Sequence, residues 1–144
     1  MNIESWTDRV KGIRTHVIHG EIKLSDIKTF LGTLYNSAEY DPEFHAVWDV
    51  READFPEVTP SEIRDLAYFV RANWTGKYRR KAAVVVFGDF HFGLSRMFAQ
   101  FVSPSAHGKI KVFRDLRGAA DWIDGRIAAT THPIDGRTMP PVRV

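Results

Sequence analysis

The chain has 144 residues, 44% of them hydrophobic and 26% charged, with a formal net charge of +2. That length suits one domain with its own core, and the composition is that of an ordinary globular protein. The absence of cysteine excludes disulfides, thiolate catalysis and cysteine–zinc sites.

The elements follow from hydrophobic spacing. A weak strand is expected within Ile3–Val10 and a second over Ile13–His19. Ile27, Phe30, Leu31 and Leu34 recur at i, i+3, i+4, i+7, which places them on one face of a first helix that Ser25 can cap. A strand over His45–Val50 comes next. Thr59-Pro60-Ser61-Glu62 then combines a capping threonine, a proline at the first helical position and a glutamate three residues after the cap. It opens a second helix with Ile63, Leu66, Ala67 and Val70 on one face. The run Ala82–Phe87 has no polar alternation and reads as a strand covered on both sides. Leu94, Met97, Phe98 and Phe101 mark a third helix, expected to begin near His91–Gly93. Ile110–Phe113 is the last strand. Leu116, Ala119, Ala120 and Ile123 mark a fourth helix, capped by Asp115 and stopped by Gly125.

The order β-β-α-β-α-β-α-β-α argues for a mostly parallel sheet covered by helices. The expected domain is 1–125. From 126 to 144 three prolines and a glycine break any regular pattern, so that stretch reads as a loose tail, the alternative being one that packs on its own domain or on a partner subunit. The start, MNIESWTDR, lacks the basic opening and apolar run of a signal peptide. The longest apolar run, Ala82–Phe87, is far short of the ~20 residues of a membrane span, so the expected location is the cytoplasm.

Charge is unevenly spread. Residues 1–72 hold 8 Lys+Arg and 13 Asp+Glu, whereas residues 73–144 hold 12 and 5. Solvated helix surfaces account for such a split. The functional alternative is a basic face for an anionic ligand or an acidic partner, or head-to-tail association into a homo-oligomer. Lys77-Tyr-Arg-Arg-Lys81 is a weak nucleic-acid signal and reads as a solvated turn before a strand.

Gly88–Ser95, GDFHFGLS, has the spacing of a phosphate-binding P-loop with Leu94 where the lysine belongs. Asp89 would repel phosphate, and Phe90 and Phe92 make the stretch apolar. The spacing is there without the chemistry. A helix starting at this point still aims free N–H groups at the C-terminal edge of the sheet, where open α/β sheets commonly bind ligands. Asp49, Arg51, Asp89, His91, Arg96 and Arg114 would line that rim, with Ser95 in the first turn of the helix. For Asp49 and Arg51 the alternative is a mutual ion pair, and for Arg96 a salt bridge to Asp49 or Asp89. His91 also reads as a helix-cap histidine. Ser95 lacks a G-x-S-x-G elbow. His16 and His19 face opposite sides of a strand and cannot chelate together. Trp48, Phe87 and Phe113 are expected in the core, and Trp122 on a sheet face or an interface.

VWDVRE (47–52), KAAVVVFGDFHFGLSRMF (81–98) and VFRDLRGAADWI (112–123) together give a chain that, over about residues 3–124, resembles the SpoIIAA-like proteins, also described as STAS/SEC14-domain proteins. The resemblance implies a mixed sheet with one antiparallel edge strand and four helices. It also implies action by binding, as an anti-sigma-factor antagonist or a sensory module, and the SEC14 relation implies apolar or lipid ligands. The anti-sigma antagonists carry a phosphorylatable serine in an Asp-Ser-x-Gly turn. Here that position reads Val50-Arg51-Glu52-Ala53, and helix capping accounts for Thr59 and Ser61.

The expected function is therefore a non-enzymatic binding or regulatory module. It would take an anionic or lipid-like small molecule, or a partner protein, at the strand C-terminal edge through Asp49, Arg51, His91, Ser95, Arg96 and Arg114. No cofactor or metal is expected. The alternatives are a small hydrolase or lyase using Asp49 with His91 or Ser95, and a homo-oligomeric scaffold.

Overall fold

The computed structural model describes residues 2–74, 80–102 and 109–125. The 126–144 tail lies outside them. β1 (Ile3–Asp8) and β2 (Ile13–Glu21) form an antiparallel hairpin, with Ile3 opposite Ile18 and Asp8 opposite Ile13. Asp8 organises the turn: its Oδ1 accepts the N–H groups of Val10 and Lys11, each at 3.0 Å. β3 (His45–Asp54), β4 (Ala82–Val85) and β5 (Ile110–Phe113) then add in sequence order, each parallel to the one before, giving the sheet β1-β2-β3-β4-β5.

That order decides where the helices go. Each parallel step needs a crossover, and crossovers are right-handed. Three steps in one direction therefore put α1 (Leu24–Tyr35), α2 (Pro60–Ala72) and α3 (Asp89–Val102) on one face. α4 (Leu116–Asp124) turns back onto the other face. The strands supply a side chain to each face in turn. Ile18, Val50 and Val86 join Ile27 and Leu31 of α1 and Leu66, Ala67 and Val70 of α2 in the larger core. Val47, Ala83 and Val85 join Ala119 and Ile123 of α4 in the smaller one. Phe113 and Trp122 close that second face, their ring centroids 5.6 Å apart.

The helix starts depend on particular residues. Thr59 caps α2 as expected: its Oγ1 accepts the Glu62 N–H at 3.1 Å, and Glu62 Oε1 accepts the Thr59 N–H at 2.9 Å. Asp115 Oδ1 accepts the Gly118 N–H at 2.7 Å, and Gly125 ends α4 in the left-handed conformation. α1 differs from expectation. It is capped from Lys23, whose N–H donates to Asp26 Oδ2 at 3.3 Å, so Ser25 lies inside the helix.

Two boundaries move. β3 runs on to Asp54 because β2 runs on to Glu21, and Gly20 and Glu21 pair with Ala53 and Asp54. The apolar pattern gave no sign of this, since Arg51 and Glu52 are exposed. β4 is shorter than its apolar run. Its neighbour ends at Phe113, whose carbonyl accepts the Val86 N–H at 3.0 Å, and Phe87 has no further strand to pair with. Phe87 is consequently 75% exposed and not a core residue.

The P-loop spacing resolves in the same place. Only Gly88, at φ 92°, is a turn residue; the helix begins at Asp89, earlier than expected, and the Phe92 N–H donates to the Gly88 carbonyl at 3.1 Å. A phosphate-binding loop keeps successive N–H groups free for the ligand. Here most of the eight-residue stretch is helix, so its spacing is that of an amphipathic first turn.

His16 is the largest polar side chain that is fully buried, 1% exposed. Its Nδ1 lies 2.6 Å from Ser5 Oγ on the paired strand, and its ring sits against Trp48 and edge-on to Phe30. His19 takes the other side, exposed, with Nδ1 3.0 Å from the Glu52 carboxylate. Burial, and then the charge of Arg14, push the His16 pKa down to about 3.

Two measurements check this reading. At Gly88 any Cβ meets open space, but the positive φ strains an L residue, so Gly88→Ala should lower stability by about 1 kcal/mol in urea unfolding. For His16 the folded pKa is depressed. The penalty is therefore absent above about pH 6.5 and grows as pH falls toward about 3, because only the unfolded chain takes the proton. His16→Gln should make the loss of stability between pH 6 and 4 shallower by about 1 kcal/mol per pH unit. An unchanged slope would mean that His16 is protonated in the fold.

Candidate functional site

The two faces of the sheet are covered differently. α4 lies directly on its face. α1, α2 and α3 span theirs with a cavity of about 150 Å³ left between helices and sheet. The sheet register explains the space. One row across the floor reads Arg14, Ala46, Ala82, Ile110, and the next reads His16, Trp48, Val84, Val112. The first row places two alanines side by side next to a long arginine, so the floor is low there. Leu31 and Leu34 of α1, Leu66 and Val70 of α2, and Leu94 and Phe98 of α3 roof the cavity.

The cavity has two unlike ends. At the C-terminal end of the strands its wall is Phe55, Val58, His91, Leu94 and Ser95. Rings dominate there: His91 packs edge-on to Phe55 at 5.7 Å and lies 5.8 Å from Phe90. At the N-terminal end stand Arg14, Tyr35, Trp74 and Arg80. Both arginines are 6% exposed. The Arg14 guanidinium lies 4.7 Å from the centre of the Tyr40 ring and donates through Nη1 to the Asp41 carbonyl at 3.0 Å. The Arg80 guanidinium lies 4.2 Å from the centre of the Trp74 ring, and its Nη1 donates to the Tyr40 hydroxyl. Burial lowers the Arg14 pKa from its ordinary value; Tyr40 opposes this and the neighbouring charge of Arg80 adds to it.

Among the described residues, no carboxylate makes an ion pair with either arginine. Three buried polar atoms on this cavity's wall also have no hydrogen-bond partner: Arg14 Nε, His16 Nε2 and Trp74 Nε1. A buried donor or acceptor left unpaired costs about 1–3 kcal/mol, so three such atoms on one wall are a feature to be explained.

The six residues expected to bind a ligand, Asp49, Arg51, His91, Ser95, Arg96 and Arg114, fall into three groups. Asp49 and Arg51 pair with each other: Arg51 Nε donates to Oδ1 at 2.9 Å and Nη2 to Oδ2 at 2.8 Å, and the Arg51 N–H also donates to Oδ1 at 3.1 Å. Burial opposes ionisation of Asp49, but these bonds and the Arg51 charge outweigh it and hold the carboxyl below its ordinary value. Asp49 follows Val47 on the α4 side of the sheet, away from the cavity. Arg114 pairs with Asp89 at 3.0 Å and lies 4.1 Å from the centre of the Phe92 ring, and Arg96 approaches the same ring at 5.9 Å. His91 and Ser95 alone of the six line the cavity.

Arg14, His16, Trp74 and Arg80 were not among the residues expected at the site. A signal was present for two of them. Arg14 and His16 share the phase of Ile18 on a strand, so a cation and an imidazole stand where the pattern asks for apolar residues. Arg80 belongs to the basic run that reads as a solvated turn, yet it is buried. Nothing local marks that, because the burial comes from Tyr40 and Trp74.

No family model matches the sequence, and no curated protein matches it. Among solved structures the chain is similar to an uncharacterized protein of the DUF3478 family with a SpoIIAA-like fold from Shewanella loihica. The TM-score is 0.52 at 19% identity, over 84% of this chain and 91% of that one. The five-stranded mixed sheet, its antiparallel first pair and the four helices are those of a SpoIIAA-like fold.

Proposed function

We propose that the chain is a non-enzymatic binding module that holds a lipid-like small molecule between its sheet and helices α1–α3. The cavity carries this reading. It is walled almost wholly by aliphatic and aromatic side chains, and its floor is lowered by Ala46 and Ala82. Small-molecule sites are typically concave, mostly apolar and equipped with a few convergent polar groups. The SpoIIAA-like fold supports the reading in general terms, as a fold that serves binding.

In this reading His91 and Ser95 touch the ligand from the first turns of α3, at the edge where the sequence led us to expect a site. Asp49, Arg51, Arg96 and Arg114 have engagements of their own outside the cavity. A hydrolytic alternative would need Asp49 as a base near His91 or Ser95. It sits on the other face with Arg51 on both its oxygens. No helix among the described residues is long and apolar enough to cross a membrane.

Native mass spectrometry of freshly purified protein should show a species heavier than the chain that is released on denaturation. The neutral fluorophore N-phenyl-1-naphthylamine should brighten on titration with protein stripped of that molecule. Ala46→Phe fills the low part of the floor, so it should weaken uptake at least about tenfold while changing stability by no more than about 1–3 kcal/mol. A clean mass together with no brightening of the fluorophore would refute the reading.

A further inference from the structure

Arg14, Arg80, Trp74 and His16 form a second feature of the same cavity. We propose that this end recognises an oxyanion, so that the ligand is an amphiphile with a carboxylate or phosphate head and an apolar chain. The head lies at the N-terminal edge of the parallel strands, and the chain runs over Ala46 and Ala82 toward His91. The inference rests on the reading of the cavity as a ligand site and adds the chemistry of the ligand.

Four observations converge. Two guanidiniums lie within reach of one tyrosine, Arg14 over the Tyr40 ring and Arg80 on its hydroxyl, and both are 6% exposed. Among the described residues their protein contacts are a carbonyl, the hydroxyls of Tyr40 and Tyr35 and aromatic faces, none of which carries a full negative charge. The sequence between Trp74 and Arg80 contains no acid. Finally, Arg14 Nε and Trp74 Nε1 are buried N–H donors without partners among the described residues, and both residues line the cavity. Buried like charges repel unless an opposite charge joins them. An oxyanion entering from the cavity supplies that charge, and a guanidinium edge with a neighbouring N–H matches its lone pairs. His16 Nε2 lines the same cavity, two residues along the strand from Arg14, and offers one further hydrogen-bonding atom. Lys81 is not part of the head site: its Nζ donates to the Trp122 carbonyl at 2.7 Å.

The test compares dodecanoate, dodecyl phosphate and dodecanol as competitors for bound N-phenyl-1-naphthylamine, each below its micelle threshold. At least one anion should displace the fluorophore at a concentration about tenfold or more below that of dodecanol. The stronger of the two identifies the head group. Arg14→Gln should bring the anions to the level of dodecanol and leave dodecanol unchanged. Trp74→Phe keeps a ring beneath Arg80 and removes only the indole N–H, so it should cost the anions about threefold and dodecanol nothing. It carries the test if Arg14→Gln does not fold. The inference is overturned if dodecanol competes as well as both anions, or if the anion preference is undiminished in Trp74→Phe and in any folded Arg14→Gln. It is also overturned if the fluorophore binds but none of the three displaces it. No binding of the fluorophore at all would instead bring down the cavity reading on which it rests.

Discussion

A guanidinium leaves water only at high cost, and Arg14 has left it. It stands on a strand phase that continues into Ile18, inside the sheet face that three helices cover. The arrangement around it follows from that placement. Tyr40 lies against its charge, the Asp41 carbonyl accepts a hydrogen bond from it, and the chain between α1 and β3 is thereby held over the edge of the sheet. Arg80, at the entry to β4, donates to the hydroxyl of the same tyrosine. A methionine of similar length would fill this space without such supports, so the arginines are poorly explained by packing alone.

The two faces show what a conventional solution looks like. On the α4 side, Val47, Ala83 and Val85 meet Ala119 and Ile123 closely, and Lys81 reaches across to the Trp122 carbonyl. Small residues there let a helix approach. On the other side, Ala46 and Ala82 are equally small but no helix descends onto them. Leu31, Leu66 and Phe98 roof a cavity over that floor. The same residue type serves close contact on one face and space on the other, and the length of the side chains opposite decides which.

Local patterns carried most of the fold. The four helical stripes, the Thr59 and Asp115 caps and the apolar run of β4 are each determined within about a dozen residues, and each was legible. What depended on partners was not. The extension of β3 to Asp54 is set by β2, and the exposure of Phe87 is set by where β5 stops. The site divides in the same way. His91 and Ser95 could be placed because helix α3 follows a recognisable strand and glycine. Arg80 could not, because its burial comes from Tyr40, forty residues earlier in the chain, and from the end of α2. Arg14 was legible in principle, as a charge on the buried phase of a strand.

The position of the arginines also bears on the customary expectation that ligands of α/β sheets sit at the strand C-terminal edge. In a βαβ unit the helix runs antiparallel to its strands, so helix N-termini gather at that edge and helix C-termini at the other. The C-terminal end of a helix carries partial negative charge. Tyr35 ends α1 and feels the charge of both Arg14 and Arg80, while Trp74 lies just beyond the end of α2. α1 has no basic residue of its own in its last turn. Buried cations are therefore best tolerated where these two are found, with helix carbonyl ends near them before any ligand arrives. An oxyanion at the N-terminal edge would be unfavourable opposite bare helix C-termini. In the proposed binding mode Arg14 and Arg80 set two positive charges against those carbonyl ends, so that an anion would be held at the edge that α/β sheets ordinarily leave unused.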